Sequence, residues 1–359
     1  MTRPAVAWLS RANLRSNFLR ARALTGGRPV YVVVKADGYG HGLLEVARTL
    51  LDSGAEAFAV ACLEEAIVLR DAGITEPVLL LEGHANQPEL AEALALRLQL
   101  VVHCEEQLAD LGTLTETYPA RIWLKCDSGM GRLGFLPGEV PRAWAELQGL
   151  APLEAGLMMH FATADDPGHP AAVQQCLVSG ELRQSLGVDL VSLCNSAALL
   201  RALDDRDVPR VGLMLYGASP VLHADAADVG LTPVATFESE LIAVRDLPAG
   251  ATVGYGQTWV APRSTRLGIV AAGYGDGYPR HAGSGTPTLV RGQRAPLIGR
   301  VSMDMLAVDL TDIEGCERGE RVELWGANLP VEEVARAANT IPYTLMCGLS
   351  SRVRRVWCD

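Results

Sequence analysis

The sequence predicts an α/β protein in which an N-terminal (β/α)8 TIM-type barrel is followed by a mostly antiparallel β C-terminal domain. Between about residues 30 and 217, eight apolar runs alternate with segments of helical periodicity. Each run is continuous rather than alternating in polarity, as suits strands covered on both faces in a parallel sheet. A doubly wound open sheet is the alternative, but no GxGxxG opens a helix after the first run. Near residue 225 the texture changes to short, partly alternating segments punctuated by Gly and Pro, the pattern of antiparallel strands joined by turns.

In chain order, PAVAWL reads as a short strand and RANLRSNFLRARAL as an Arg-rich amphipathic helix. The apolar runs are Val30–Val34, Ala57–Ala61, Val78–Leu81, Leu98–Val102, Arg121–Leu124, Leu157–Met159, Leu190–Leu193 and Val211–Leu215. Between them, Gln87–Arg97 and Ala171–Leu186 carry apolar residues at three- and four-residue spacing, which predicts helices. Residues 220–232 (PVLHADAADVGLT) form the junction. Beyond it, FESELIAV, TRLGIVAAGYGDG, TPTLVRG, MLAVDL and RVELWG read as strands and VEEVARAAN as one short helix. The expected division is residues 1–9 as a strand joining the C-terminal domain, 10–224 as the barrel, and 225–359 as the β domain.

Composition narrows the function. Hydrophobic residues make up 49% of the 359 and charged residues 20%, enough for a sizeable core. A net charge of −11 argues against a nucleic-acid backbone as partner. Eight cysteines are scattered with no CxxC, and several lie in apolar stretches, which fits reduced thiols. The N-terminal stretch lacks a long apolar core with a small-residue cleavage site, and no run approaches the roughly 18 apolar residues of a membrane span. A cytoplasmic protein is expected. The histidines show no ligand spacing, so no metal site is expected.

The chain has only two lysines, Lys35 and Lys125, and its other 29 basic residues are arginines. Both lysines end apolar runs and precede glycine-rich loops. A guanidinium stays protonated, whereas an amine can lose its proton, attack a carbonyl or take up carbon dioxide. In a parallel barrel, catalytic groups come from the C-terminal strand ends. Read there, the chain offers Lys35 and Tyr39, then Lys125, Asp127 and Arg132, then His160, Asn195 and Ser196, and finally Arg210, Gly212 and Tyr216. An amine after the first barrel strand suggests a Schiff base, and the late Ser196 and Gly212 loops suit a phosphate. Together they suggest pyridoxal 5'-phosphate.

The stretches VVVKADGYGHG, KCDSGMGRLG, MMHFATADD, NSAALL, RVGLMLYG, VGYGQTW, GYGDGYPR and GRVSMDML follow one another along the chain. In order and spacing they closely resemble the bacterial alanine racemase family, over essentially the whole length. The resemblance implies a racemase that interconverts L- and D-alanine by two bases. Lys35 would bind the cofactor aldehyde and serve one face, and Tyr255 of the partner subunit would serve the other, in a homodimer with shared sites. His160 would link that tyrosine to Arg210, which faces the pyridine nitrogen. An always-charged donor there will not readily protonate the ring, which favours return of the proton over transamination.

The resemblance further implies a phosphate cradle of Tyr39, Ser196, Gly212 and the Leu213 amide, with Asn195 beside it. Arg132 and the Met303 amide would hold the substrate carboxylate or orient the cofactor oxygen, and Asp304 would support them. Lys125 matches a lysine carbamylated in some members, where the new anion would pair with Arg132. Tyr274 would line the substrate entrance, with Arg280 and Arg300 farther out. His41 reads as a loop residue, and Ser302 stands where some relatives carry cysteine. Ser351 stands where many members have a gate tyrosine, so more tolerance for serine is expected. The activity would supply D-alanine for peptidoglycan or feed alanine catabolism. Competing readings are a broader small amino-acid (serine) racemase, a basic amino-acid decarboxylase on a similar plan, and a barrel that only carries the cofactor. The Tyr255 context, the short chain and the GRVSMD block disfavour the decarboxylase, and the second domain with Tyr255 and Met303 disfavours the carrier.

Overall fold

The computed structural model describes residues 3–114, 118–150, 154–204 and 207–359. The chain forms two compact units. One comprises Asn17–Leu215 with Pro220–His223, the other Met1–Ser16, Tyr216–Ser219 and Ala224–Asp359.

After β1 (Val6–Ser10), the first unit is built on β2 (Tyr31–Val33), β3 (Phe58–Val60), β4 (Val78–Leu80), β5 (Gln99–Val102), β6 (Arg121–Lys125), β7 (Glu154–Met158), β8 (Val191–Ser192) and β9 (Arg210–Val211). All pair in parallel, in the order β8-β7-β6-β5-β4-β3-β2-β9. The Arg210 N–H donates to the Cys194 carbonyl (2.9 Å) and Val208 N–H to Val191 (2.8 Å), which brings the chain entering β9 alongside β8 and nearly closes the barrel. Val32, Phe58, Leu79, Leu100 and Trp123 are fully buried, because these strands meet helices outside and other strands' side chains within. Polar residues at the N-terminal strand ends plug the far end of the barrel. The Tyr31 hydroxyl meets Gln99 and accepts from Arg121 Nη1 (3.2 Å) and Trp123 Nε1 (3.3 Å).

The helix Ala171–Leu186 stands where its periodicity predicts it, stopped by Gly187 in the left-handed conformation (φ 63°). Gln87–Ala95 is capped by Asn86, whose side chain accepts from the Glu89 N–H. The last expected strand differs. Strand geometry covers only Arg210–Val211, and Leu213–Tyr216 is a buried 3-10 turn. Continuous hydrophobicity reports burial, and here it covers a turn as well as a strand.

The second unit contains β10 (Ala235–Leu247), β11 (Thr252–Val253), β12 (Trp259–Val260), β13 (Thr265–Val270), β14 (Pro287–Val290), β15 (Gln293–Pro296), β16 (Leu306–Asp309), β17 (Arg321–Trp325) and β18 (Arg354–Cys358). The long β10 is its spine. Ala235, Phe237, Ser239 and Leu241 face inward at a period of two. It pairs antiparallel with β1, β13 and β17, and β1 lies parallel to β18 on its other side. Among the described residues beyond β10, two α-helices occur, Val331–Ala337 and Pro342–Cys347, where the sequence reading finds only the first. The second spans six residues, too few to display a helical period. Among the described residues, no helix is long and apolar enough to cross a membrane.

Candidate active site

The chain leaving β2 takes an unusual path. Ala36, Asp37 and Tyr39 all have positive φ (54°, 53° and 52°), as do Gly38 and Gly40, so one turn of left-handed helix follows Lys35. Hydrogen bonds from Gly38 N–H to Val34 O (2.8 Å) and from Gly40 N–H to Ala36 O (2.9 Å) close it. Left-handed geometry costs each side-chain-bearing residue about 1–2 kcal/mol, so outside contacts must hold it. Glu65 accepts from the Ala36 N–H (2.6 Å) and the Ala61 N–H (2.9 Å), and Asp37 from the Leu43 N–H (2.8 Å). The turn directs Lys35 out of the strand end and buries Tyr39.

Lys125 is the last residue of β6 and is buried. Burial, with repulsion from Arg210 and Arg132, pushes its amine down to about 7. The loop after it is wound around Asp127. One carboxylate oxygen accepts from the N–H groups of Gly129 (3.0 Å), Met130 (2.8 Å) and Gly131 (3.0 Å), and the other from that of Arg132 (3.1 Å). The Arg132 backbone is thereby tied to the loop that follows Lys125.

At the exits of β7, β8 and β9, a second network forms around Arg210. Its Nη2 donates to the Met159 carbonyl (2.7 Å) and to His160 Nδ1 (3.0 Å), and its Nη1 donates to Ser192 Oγ. Burial lowers this guanidinium to about 10, so it stays charged at neutral pH. His160 is held well below the usual imidazole range by burial first, then by Arg210, Lys125, Arg132 and Lys35. His160 feels the charge of all four cations and Lys125 that of Arg210 and Arg132, so the barrel mouth is a positive enclosure suited to anions. Asp207 supports the same end from behind, accepting from the Leu193 (3.0 Å) and Cys194 (2.6 Å) N–H groups.

Asn195 caps the short helix Ser196–Leu200 by accepting from the Ala198 N–H (3.0 Å). Ser196 Oγ accepts from the Gly212 N–H (2.9 Å). A Cβ on Gly212 would strike the Tyr39 hydroxyl, so only glycine fits. Tyr39, Ser196, Gly212 and Leu213 thus converge from three strand exits. All the barrel residues named from the sequence lie at these exits except Tyr216, which belongs to the β unit. Glu65, Ser192 and Asp207 were missed, since nothing in their local sequence distinguishes them from other helix and strand-end polar residues.

On the β unit, Tyr255 opens a 3-10 turn, Tyr255–Gln257, and is 67% exposed. Arg300 lies against this turn, where Cβ atoms on Gly254 or Gly256 would contact it. Tyr274 and Met303 are also exposed, on loops joined by the Tyr274 N–H to Ser302 carbonyl bond (3.1 Å). Arg280 and Ser351 are exposed too. Among the described residues, no group of three His, Cys, Asp or Glu side chains is placed to hold a metal ion.

Comparison with known proteins agrees over the whole chain. Residues 9–220 match the alanine racemase N-terminal domain family and residues 234–357 the C-terminal domain family. Alanine racemase from Marinobacter nauticus is 47% identical over 99% of both chains. The biosynthetic alanine racemase of Pseudomonas aeruginosa superposes with a TM-score of 0.96 at 45% identity, covering 100% of each chain. The enzyme from Bartonella henselae, solved with covalently bound pyridoxal phosphate, superposes at 0.89 with 25% identity over 99% of each chain. With both domain families matched in order along the chain, and relatives at 45–47% identity over its whole length, the chain belongs to the alanine racemase family.

Proposed function

We propose that this chain interconverts L- and D-alanine using pyridoxal 5'-phosphate at the barrel mouth, with Lys35 and Tyr255 as the two proton-transferring groups. The observation that carries the reading is the Arg210–His160 bond at the centre of a positive enclosure. The residues present fit the cofactor. Tyr39, Ser196, Gly212 and the Leu213 amide would hold its phosphate, Lys35 its aldehyde carbon and Arg210 its ring nitrogen, with Asn195 and His160 alongside. When bound, the cofactor stabilises the electron pair left at the substrate α-carbon.

Racemisation needs a proton to leave the α-carbon from one face and return on the other. Lys35 Nζ serves one face and Tyr255 Oη the other. A phenol is a weak base at neutral pH and needs polar support to take a proton. His160 gives that support, because Nδ1 accepts from Arg210 and Nε2 therefore carries the proton. Arg132 and the Met303 amide bind the substrate carboxylate, with Asp304 steadying the Met303 loop, and Tyr274 lines the approach. Formation of D-alanine from L-alanine by the purified holoenzyme tests the reaction. Faster racemisation of serine than of alanine would overturn it, and Lys35→Ala should abolish turnover.

Exposure of Tyr255 supports a head-to-tail homodimer in which the partner's β domain completes each barrel site. Mixing a Lys35→Ala chain with a Tyr255→Phe chain should restore up to roughly one quarter of wild-type activity, since half of a randomly mixed population pairs the variants and each such dimer holds one intact site. No recovery despite proven exchange would contradict the shared site. The free cysteines fit a reducing cytoplasm, and likeness to a biosynthetic enzyme favours D-alanine supply.

A further inference from the structure

Tyr274, Met303 and Ser351 stand on three loops of the β unit that are distant in sequence, and one buried carboxylate joins them. Asp276 is fully enclosed, at 0% exposure. It accepts a forked pair of bonds from Arg3, Nε to Oδ1 at 2.7 Å and Nη2 to Oδ2 at 2.5 Å, and a third bond from the Gly273 N–H at 2.9 Å. Arg3 Nη2 also donates to the Asp304 carbonyl (2.7 Å). From the other side, Arg352 Nε stands 3.6 Å from Asp276 and its Nη2 donates to the Asp304 carboxylate at 2.5 Å.

The backbone follows this charge network. Gly275 N–H donates to the Met303 carbonyl (2.8 Å), Ser350 N–H to the Asp276 carbonyl (3.2 Å), and Ser350 Oγ to the Gly275 carbonyl (2.9 Å). A Cβ on Gly273 would collide with the Ser302 and Met303 backbone, and one on Gly275 with the Arg352 guanidinium, so the two loops and Arg352 pack closely here. A buried carboxylate that loses one of its cations becomes an uncompensated charge and pushes on whatever surrounds it. Here the surroundings are the backbones of Tyr274 and Met303.

We infer that Arg3 is a positioning residue for substrate recognition, setting through Asp276 and Asp304 where Tyr274 and the Met303 amide stand. The inference rests on the proposed assignment of those two residues to the substrate. Holoenzyme carrying Arg3→Gln, Arg3→Lys or Tyr274→Ala is assayed for kcat and KM on L-alanine, and amide exchange is followed across 273–277 and 302–305. For Arg3→Gln, KM should rise roughly tenfold with kcat within about twofold, and exchange should quicken in those two segments but not in β10 or β17. Arg3→Lys, which keeps the charge but loses the fork, should recover part of the KM. Unchanged KM, or uniformly faster exchange through the β unit, overturns the inference. If Tyr274→Ala raises KM and Arg3→Gln does not, the loop assignment stands and Arg3 is only structural. If neither changes KM, the loop assignment fails and takes the inference with it.

Discussion

Arg210 Nη2 lies 3.0 Å from His160 Nδ1, and because a guanidinium can only donate, the imidazole accepts there and carries its proton on Nε2. Two side chains from different strand exits thus fix a tautomer. The neutral ring is the state a buried site crowded with cations favours, and it has measurable consequences.

Burial and the cations Arg210, Lys125, Arg132 and Lys35 place the folded-state His160 pKa well below its unfolded value. Below an unfolded pKa of about 6.5, the unfolded chain therefore binds a proton that the folded chain refuses, and stability falls as pH falls. The loss from this one group approaches about 1.4 kcal/mol per pH unit. Urea unfolding at pH 7.5 and 5.5 should show a smaller loss for His160→Gln than for wild type. Equal losses would mean the ring protonates freely in the folded protein.

Lys125 has its folded pKa lowered to about 7 by burial, Arg210 and Arg132, against an unfolded value of about 10.4. Between those values the unfolded chain holds a proton that the folded chain lacks, so this group makes stability rise with pH across that window and adds no slope below it. A neutral amine beside Arg132 is also poised to take up carbon dioxide as an anionic carbamate. Intact mass in bicarbonate at pH 8 should show one added carbon dioxide that Lys125→Arg abolishes. Since Arg132 would lose its anionic partner, kcat/KM for Lys125→Arg should fall about a hundredfold. An unmodified wild-type mass would refute the carbamate.

Asp127 is raised by its burial but lowered more by four amide N–H donors, with a net downward shift. Its stabilising contribution is present above the unfolded carboxylate pKa and disappears as pH falls through the lower folded value. Asp127→Ala should destabilise the protein by about 1–3 kcal/mol at neutral pH and raise KM by releasing Arg132. Thermal melts and kinetics at pH 7.5 check both, and an unaltered KM would detach Asp127 from substrate binding.

Ser351 is exposed on the loop that Ser350 ties to Gly275. Ser351→Tyr should sharpen the preference for alanine over serine, by about tenfold in the ratio of kcat/KM, because a ring at the gate excludes the larger side chain. A ratio that stays constant or falls would show that this position does not select substrate.

The helix Ala171–Leu186 and the strands Val78–Leu80, Arg121–Lys125 and Val6–Ser10 were legible because hydrophobic period and punctuation are local properties of the chain. The barrel followed, since unbroken apolar runs separated by helices have few ways to be buried. That Lys35, Lys125, His160, Ser196 and Arg210 lie at one end of the barrel was legible because strand ends in a barrel converge. The left-handed turn at Ala36, Asp37 and Tyr39 was not. Its conformation opposes local preference and is held by Glu65, from the helix that follows β3, which binds its amide. The 3-10 turn after β9 was hidden for a related reason, since hydrophobicity records burial without recording backbone angle.

By itself, the sequence determined the two-part architecture, the scarcity of amines and the family to which the chain belongs. The tertiary structure alone decided the protonation states and the supports. Lys125 is an ordinary lysine until Arg210 and Arg132 crowd it in a dry strand end, and Asp276 is an ordinary loop acid until Arg3, 273 residues away, closes on it. Charges act through space and burial rather than along the chain, so their effects appear only when distant segments meet.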